Sequence, residues 1–210
     1  MKQIYDPPVV LYTRGNSQAI SQPGIAVVGT RHPTPYGLGM AERLACDLAA
    51  RALVIFSGLA WGGDAAAHRG AIAAKGKTVA GFGTGVDEIY SQENRRLVEQ
   101  MLGLGGAIVS EFPLNTFPAP HPIRNRIISG ISLGVLVVEA AEYSGTHISS
   151  RCALEQNRDL CGSRKCVTDK NSWGSEHPHQ TGRQAGSHVG RRLGGTPGRC
   201  ATCAPALRRQ

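Results

Sequence analysis

The sequence predicts an α/β protein built on a doubly wound, mostly parallel sheet of the Rossmann-like type. Three observations carry that prediction. Short β-branched runs recur between Ile25 and Asn157, glycine bounds most of them, and stretches with helical periodicity lie between them. Strands that alternate with helices require right-handed βαβ crossovers, and these stack helices on both faces of one sheet.

The strand candidates are residues 25–28, 53–56, 78–82, 107–109 and 134–138. Helical periodicity spans 36–51, 64–75, 92–102, 124–131 and 147–157. The first of these helices sets Leu38, Leu44, Leu48 and its alanines on one face. On this pattern residues 1–24 read as a linker leading into the core, 25–158 as the core, and 159–210 as a basic, disordered tail. The tail carries only Leu160, Val167, Val189, Leu193 and Leu207 as aliphatics beyond alanine, with no period of 2 or 3.6.

The formal net charge of +8 is unevenly shared. Residues 1–158 hold 14 Lys and Arg against 12 Asp and Glu, whereas 159–210 hold 9 against 3. Total charge therefore says little about the folded part, and any nucleic-acid argument has to rest on particular arginines. Cys46 and Cys152 fall in helical patterns and read as small buried hydrophobes. Cys200 and Cys203 have CxxC spacing but no second pair at zinc-site distance, so no metal site is expected. No apolar run approaches a membrane span, and the start lacks a secretory leader pattern, so a cytoplasmic protein is the expectation.

Ligands of an open α/β sheet bind at the carboxyl ends of its strands. Those exits read Gly29-Thr30-Arg31, Ser57-Gly58-Leu59-Ala60, Gly83-Thr84-Gly85, Ser110-Glu111-Phe112-Pro113, and Glu139 with Ser144-Gly145-Thr146. Such a rim suits backbone N–H groups that approach phosphates. Arg31 can fork onto a phosphate there, or it can bridge to Asp64 or Glu139; position alone leaves both readings open. Arg124 and Arg126 flank Asn125 where a helix begins, a placement the macrodipole opposes by about 0.3–1 kcal/mol. It implies an anion nearby, either a ligand or an internal partner such as Glu111. Asp64 and His68 stand at i and i+4, which suits a helix-start acid paired locally with the histidine better than a catalytic dyad. Glu139 and Glu142 are candidate acids or bases. No nucleophile elbow, phosphate-binding Walker loop, dinucleotide fingerprint or metal-ligand set is present, so no catalytic residue, cofactor or metal is assigned.

The strings IAVVGTR, FSGLAWGGDAAAH, GTGVDEIY, SEFP, RNRIISG and VVEA followed by SGT resemble the DprA/Smf family of DNA-processing proteins in order and spacing, across roughly residues 5–158. The resemblance implies a cytoplasmic binding protein, not an enzyme. It would shield incoming single-stranded DNA in natural transformation and help load the RecA recombinase. It implies that Arg31, Arg124 and Arg126 hold phosphates, that Gly29, Thr30, Ser57, Gly58 and Asn125 shape the pocket, and that His121 stacks on a base in place of the family's aromatic. Gly63 stands where the family carries an aliphatic residue, a departure expected to weaken local packing. The opening DPPVVLYTRGN resembles the link from a preceding helical domain, absent from this sequence.

Beyond Arg158 the resemblance fails. Back-translation offers a cause: with permitted codons, Cys161–Lys165 read one base later gives AVPGN, a string in family style, so the reading frame is inferred to carry shifts. Loss of the strand expected there predicts an unpaired apolar sheet edge, and it argues against the family's homodimer. The alternative from another class is a nucleotide-handling enzyme, of the lysine-decarboxylase-like nucleoside-monophosphate phosphoribohydrolase type. This sequence has its Ser144-Gly145-Thr146 but not its glycine run or spaced Glu.

Overall fold

A computed structural model describes residue 4 and residues 6–89, 92–116, 122–140 and 145–162. Seven strands form one sheet: β1 Tyr12–Gly15, β2 Gly24–Val28, β3 Val54–Ser57, β4 Thr78–Gly81, β5 Ala107–Ser110, β6 Gly134–Val137 and β7 Asp159–Gly162. The helices are α1 Pro35–Ala49, α2 Gly63–Ala73, α3 Arg95–Gly103, α4 Pro122–Ile131 and α5 Gly145–Glu155. Short 3-10 turns cover Ser17–Ser21 and Gln92–Asn94.

The strand order is β1-β5-β4-β3-β2-β6-β7. All neighbours pair in parallel except β1, which lies antiparallel to β5 with Tyr12 opposite Ser110 and Gly15 opposite Ala107. From β2 the chain winds outward through β3, β4 and β5, then returns to place β6 and β7 on the other side of β2. The reversal of winding between β2 and β6 opens a crevice above their carboxyl ends.

Period-two alternation divides the core between the two faces of the sheet. Ala26, Val28, Val54, Phe56, Val135 and Val137 pack on one side with Ile128 of α4 and Ala153 of α5. Val27, Ile55, Leu136 and Val138 face the other way, against Leu44 and Leu48 of α1 and Ala66, Ala67 and Ala71 of α2. Phe56 is wholly buried, a contribution of roughly 1.5–3 kcal/mol for such a side chain. Helix α1 starts where the sequence supplies both devices for a start. Thr34 is the N-cap and accepts from Gly37 N at 3.2 Å, and Pro35 holds the first turn.

The five predicted strands and five predicted helices are all present, with ends displaced by up to three residues. Two boundaries are corrected. The linker contains a strand, because the backbone of Tyr12–Gly15 satisfies the otherwise open edge of β5. The core continues past Arg158: Asp159–Gly162 pair with Gly134–Val137, and Leu160 is buried beneath α5. The apolar strand β6 is therefore covered on both sides, and the unpaired edge expected for it is not found. The rest of the tail, with its inferred frame shifts, lies outside the described residues.

Candidate functional site

The exits of β2, β3 and β6 meet at the crevice. Thr30 N donates to Glu139 O at 2.8 Å and Gly63 N donates to Thr30 O at 3.1 Å, so the loop after β2 is held between its two neighbours. Glu139, 1% exposed, caps this arrangement from β6. Its carboxylate accepts from Thr34 N at 2.8 Å and from Thr34 Oγ1 at 2.6 Å, at the positive end of α1. The residue ties a strand end to a helix start, which accounts for a buried carboxylate without an acid–base role.

Asp64, in the first turn of α2, is the central acceptor. Gly29 N donates to its Oδ1 at 3.4 Å, and the backbone N–H groups of Ala60 and Gly58 point to the same carboxylate. Three of the N–H groups read from the sequence as phosphate donors are thus turned inward. Burial raises the Asp64 carboxyl above its ordinary range, while the nearby Arg124 guanidinium opposes that shift.

Arg124 is 7% exposed. Its Nη1 donates to Gly81 O at 2.7 Å and to Gly58 O, so one guanidinium joins the exits of β3 and β4. Burial pushes this group down from its ordinary value, Asp64 pulls it back up, and the charge of Arg31 pushes it down further. A Cβ on Gly58 would fall 2.7 Å from both Arg124 Cζ and Asp64 Oδ2, so only glycine fits between the two side chains. Ser57 is fully buried, and its Oγ donates to Val27 O at 2.6 Å.

Arg126 lies on the other side of α4. Its Nη2 meets Glu111 Oε2 at 2.5 Å and Asp6 Oδ2 at 3.5 Å. Pairing with Glu111, one of the two arrangements the sequence allowed, is the one found. The anion implied by cations at the start of α4 is therefore internal: Glu111 pairs directly with Arg126, and the Asp64 carboxyl acts on Arg124 electrostatically, without a direct ion pair among the described residues. Arg31 differs from both. It is exposed and makes no ion pair among the described residues, so it bridges to neither Asp64 nor Glu139. Thr30 is nearly buried and its Oγ1 accepts from His32 N at 3.3 Å; Asn125 is half-buried. His121 lies outside the described residues, as does Glu142.

His68 does not pair with Asp64. It is completely buried with Nδ1 2.7 Å from Thr78 Oγ1. Thr78 Oγ1 already donates its hydrogen to Ile55 O at 2.7 Å, so His68 Nδ1 carries the proton and Nε2 is a bare acceptor with no partner among the described residues. Burial, reinforced by the charges of Arg124 and Arg69, lowers the imidazole to about 3. Gly63 also corrects an expectation: a Cβ there would come within 2.8 Å of Gly29 Cα, so glycine permits close packing rather than loosening it.

Sequence reasoning missed two features of the rim. One is Asp64 as the acceptor that fills the nest of N–H groups; a helix-start Asp two residues after a glycine was the available signal. The other is Trp61, 53% exposed on the turn that follows β3. Among the described residues no group of three or more His, Cys, Asp or Glu side chains is arranged to hold a metal ion, and no helix is long and apolar enough to cross a membrane.

Comparison with known proteins is consistent across sequence and fold. The family model for DNA recombination-mediator protein A matches residues 1–190. Protein Smf of Escherichia coli is 44% identical over 177 residues, covering 83% of this chain and 46% of that protein. The structure of DNA processing protein A from Streptococcus pneumoniae aligns with a TM-score of 0.84 and 36% identity, over 92% of this chain and 68% of that one. DNA processing protein A from Helicobacter pylori, whose structure was described for its single-stranded DNA binding mode, aligns with a TM-score of 0.82 and 28% identity, over 91% of this chain and 88% of that one. These likenesses favour the DNA-processing reading over the phosphoribohydrolase alternative. The chain spans about half the length of the curated relatives it matches. By its sequence and its fold, the chain belongs to the DNA recombination-mediator protein A family.

Proposed function

We propose that this chain binds single-stranded DNA along the carboxyl rim of its sheet, acting as a DNA-processing protein by binding rather than by catalysis. The observation that carries the reading is Arg31, an exposed guanidinium without an ion pair among the described residues, at the winding reversal where open α/β sheets take their ligands. Arg31 contacts a phosphate directly. Arg124 acts from beneath by fixing the Gly58 and Gly81 carbonyls, and Arg126 joins the interface when Glu111 releases it. Gly29, Thr30, Ser57, Gly58 and Asn125 shape the surface on which the strand lies, and His121 supplies the stacking ring on family grounds. Protection of incoming DNA, delivery to a RecA-type recombinase, cytoplasmic location and any homodimer belong to this proposal on family grounds.

The test is fluorescence anisotropy of a labelled single-stranded oligonucleotide, competed with unlabelled single strand or duplex. Preferential displacement by single strand, with weaker binding by Arg31→Ala, is the expected result. Equal displacement by duplex would refute a single-strand site. Incubation with adenosine monophosphate checks the other part: release of free base would make the protein an enzyme.

A further inference from the structure

We propose that Trp61 is a nucleobase-stacking platform beside Arg31, an inference that rests on the single-strand reading above. The turn between β3 and α2 is fixed from both sides. Leu59 adopts a φ of 54° yet is buried with Phe82 and Val86, and Asn94 Nδ2 donates to its carbonyl at 3.1 Å. Such a left-handed backbone at a branched residue persists only where its surroundings over-determine it. On the other side Gly62, with a φ of 79°, lies directly against the loop after β2. A Cβ there would stand 2.6 Å from Pro33 Cδ and Thr30 O and 2.7 Å from Arg31 O. The indole is thus carried on a turn clamped to the backbone of Arg31 itself.

On this rigid mount the side chain is 53% exposed. Single exposed apolar groups are ordinary, so its position decides the reading. Leu133, 56% exposed, sits at the amino end of β6, where its N–H donates to Gly24 O, at the opposite end of the strand from the rim. Trp61 sits at the carboxyl end and adjoins Gly62, which packs on the backbone of the exposed Arg31. A nucleotide presents one anionic phosphate and one flat π face. Arg31 with Trp61 offers the matching pair, a cation and the largest aromatic face of any side chain. The fixed turn reduces the ordering that binding requires. Stacking is tolerant of base identity, so this pair recognises single strands without selecting sequence.

The experiment compares the full chain with Trp61→Ala, Trp61→Phe and the control Leu133→Ala, on an oligothymidylate and on an abasic oligodeoxyribose phosphate of equal length. Trp61→Ala is expected to weaken oligothymidylate binding by about 5- to 150-fold with the abasic affinity unchanged, and Trp61→Phe to recover part of the loss. In the Trp173→Phe background, where Trp61 is the only tryptophan, oligothymidylate is expected to quench the fluorescence and the abasic probe is not. Unchanged affinity of Trp61→Ala, equal losses on both probes, or no quenching at saturation would overturn the stacking role while single-strand binding stands. Binding of neither probe by the unsubstituted chain would overturn both readings together.

Discussion

Replacing Arg124 by methionine tests whether the buried arginine is the element that joins the strand exits. The substitution keeps most of the side-chain volume, so little cavity is created. It removes the donor to the Gly58 and Gly81 carbonyls and leaves the Asp64 carboxyl buried without its neighbouring cation. Hydrogen bonds from a charged donor contribute about 1.5–3 kcal/mol each, and Arg124 makes two of them. The expected loss is therefore about 3–5 kcal/mol, held below the sum of its parts because Asp64 can take up a proton. Urea unfolding followed by far-ultraviolet circular dichroism reads it. Asp64→Asn in the same chain removes the stranded charge while keeping an acceptor for the N–H groups of Gly29 and Gly58. The double variant is expected to lose less than the two single variants added, with a coupling of about 0.5–3 kcal/mol. A loss below about 1 kcal/mol, or strict additivity, would refute the reasoning.

Two further predictions concern charge. His68 stays neutral in the folded protein down to about pH 3, whereas in the unfolded chain it takes a proton near its ordinary 6.5. Its contribution is therefore full above pH 6.5 and declines as pH falls through the window below, by about 1.4 kcal/mol per pH unit. Asp64, raised by burial, acts with the opposite sign, since it binds its proton more readily folded than unfolded. Comparison with His68→Gln isolates the histidine: between pH 7 and pH 5 the unsubstituted chain should lose about 2 kcal/mol more than the variant, and parallel profiles would count against a buried neutral imidazole. Glu111→Gln frees Arg126 from its 2.5 Å partner. Single-strand affinity should rise, and the salt dependence should steepen by about 0.7 in log–log slope; no change in either would place Arg126 outside the interface.

The fold was legible because its signals are local. Each central strand is an apolar run of a few residues, and each helix repeats its apolar face within its own length. The two edge strands escaped for the same reason. Tyr12–Gly15 is mostly exposed and shows no alternation, and Asp159–Gly162 carries Leu160 as its one aliphatic side chain, so no apolar run marks it; both are held by backbone pairing that side chains do not advertise. At the site, sequence located the rim and its arginines but not their state. Asp64 and Arg124 are 60 positions apart, and Glu111 and Arg126 are 15 apart, so which carboxylate comes near which guanidinium is set by the winding of the sheet. That pairing leaves Arg31 as the exposed guanidinium of the three.

The most direct test of the account is the salt dependence of single-strand binding for the unsubstituted chain and for Arg31→Ala. Loss of one phosphate contact at the rim predicts weaker binding and a log–log slope shallower by about 0.7. An unchanged affinity and slope would contradict it, and would assign the binding to the nine Lys and Arg residues that follow Gly162 rather than to the crevice above the sheet.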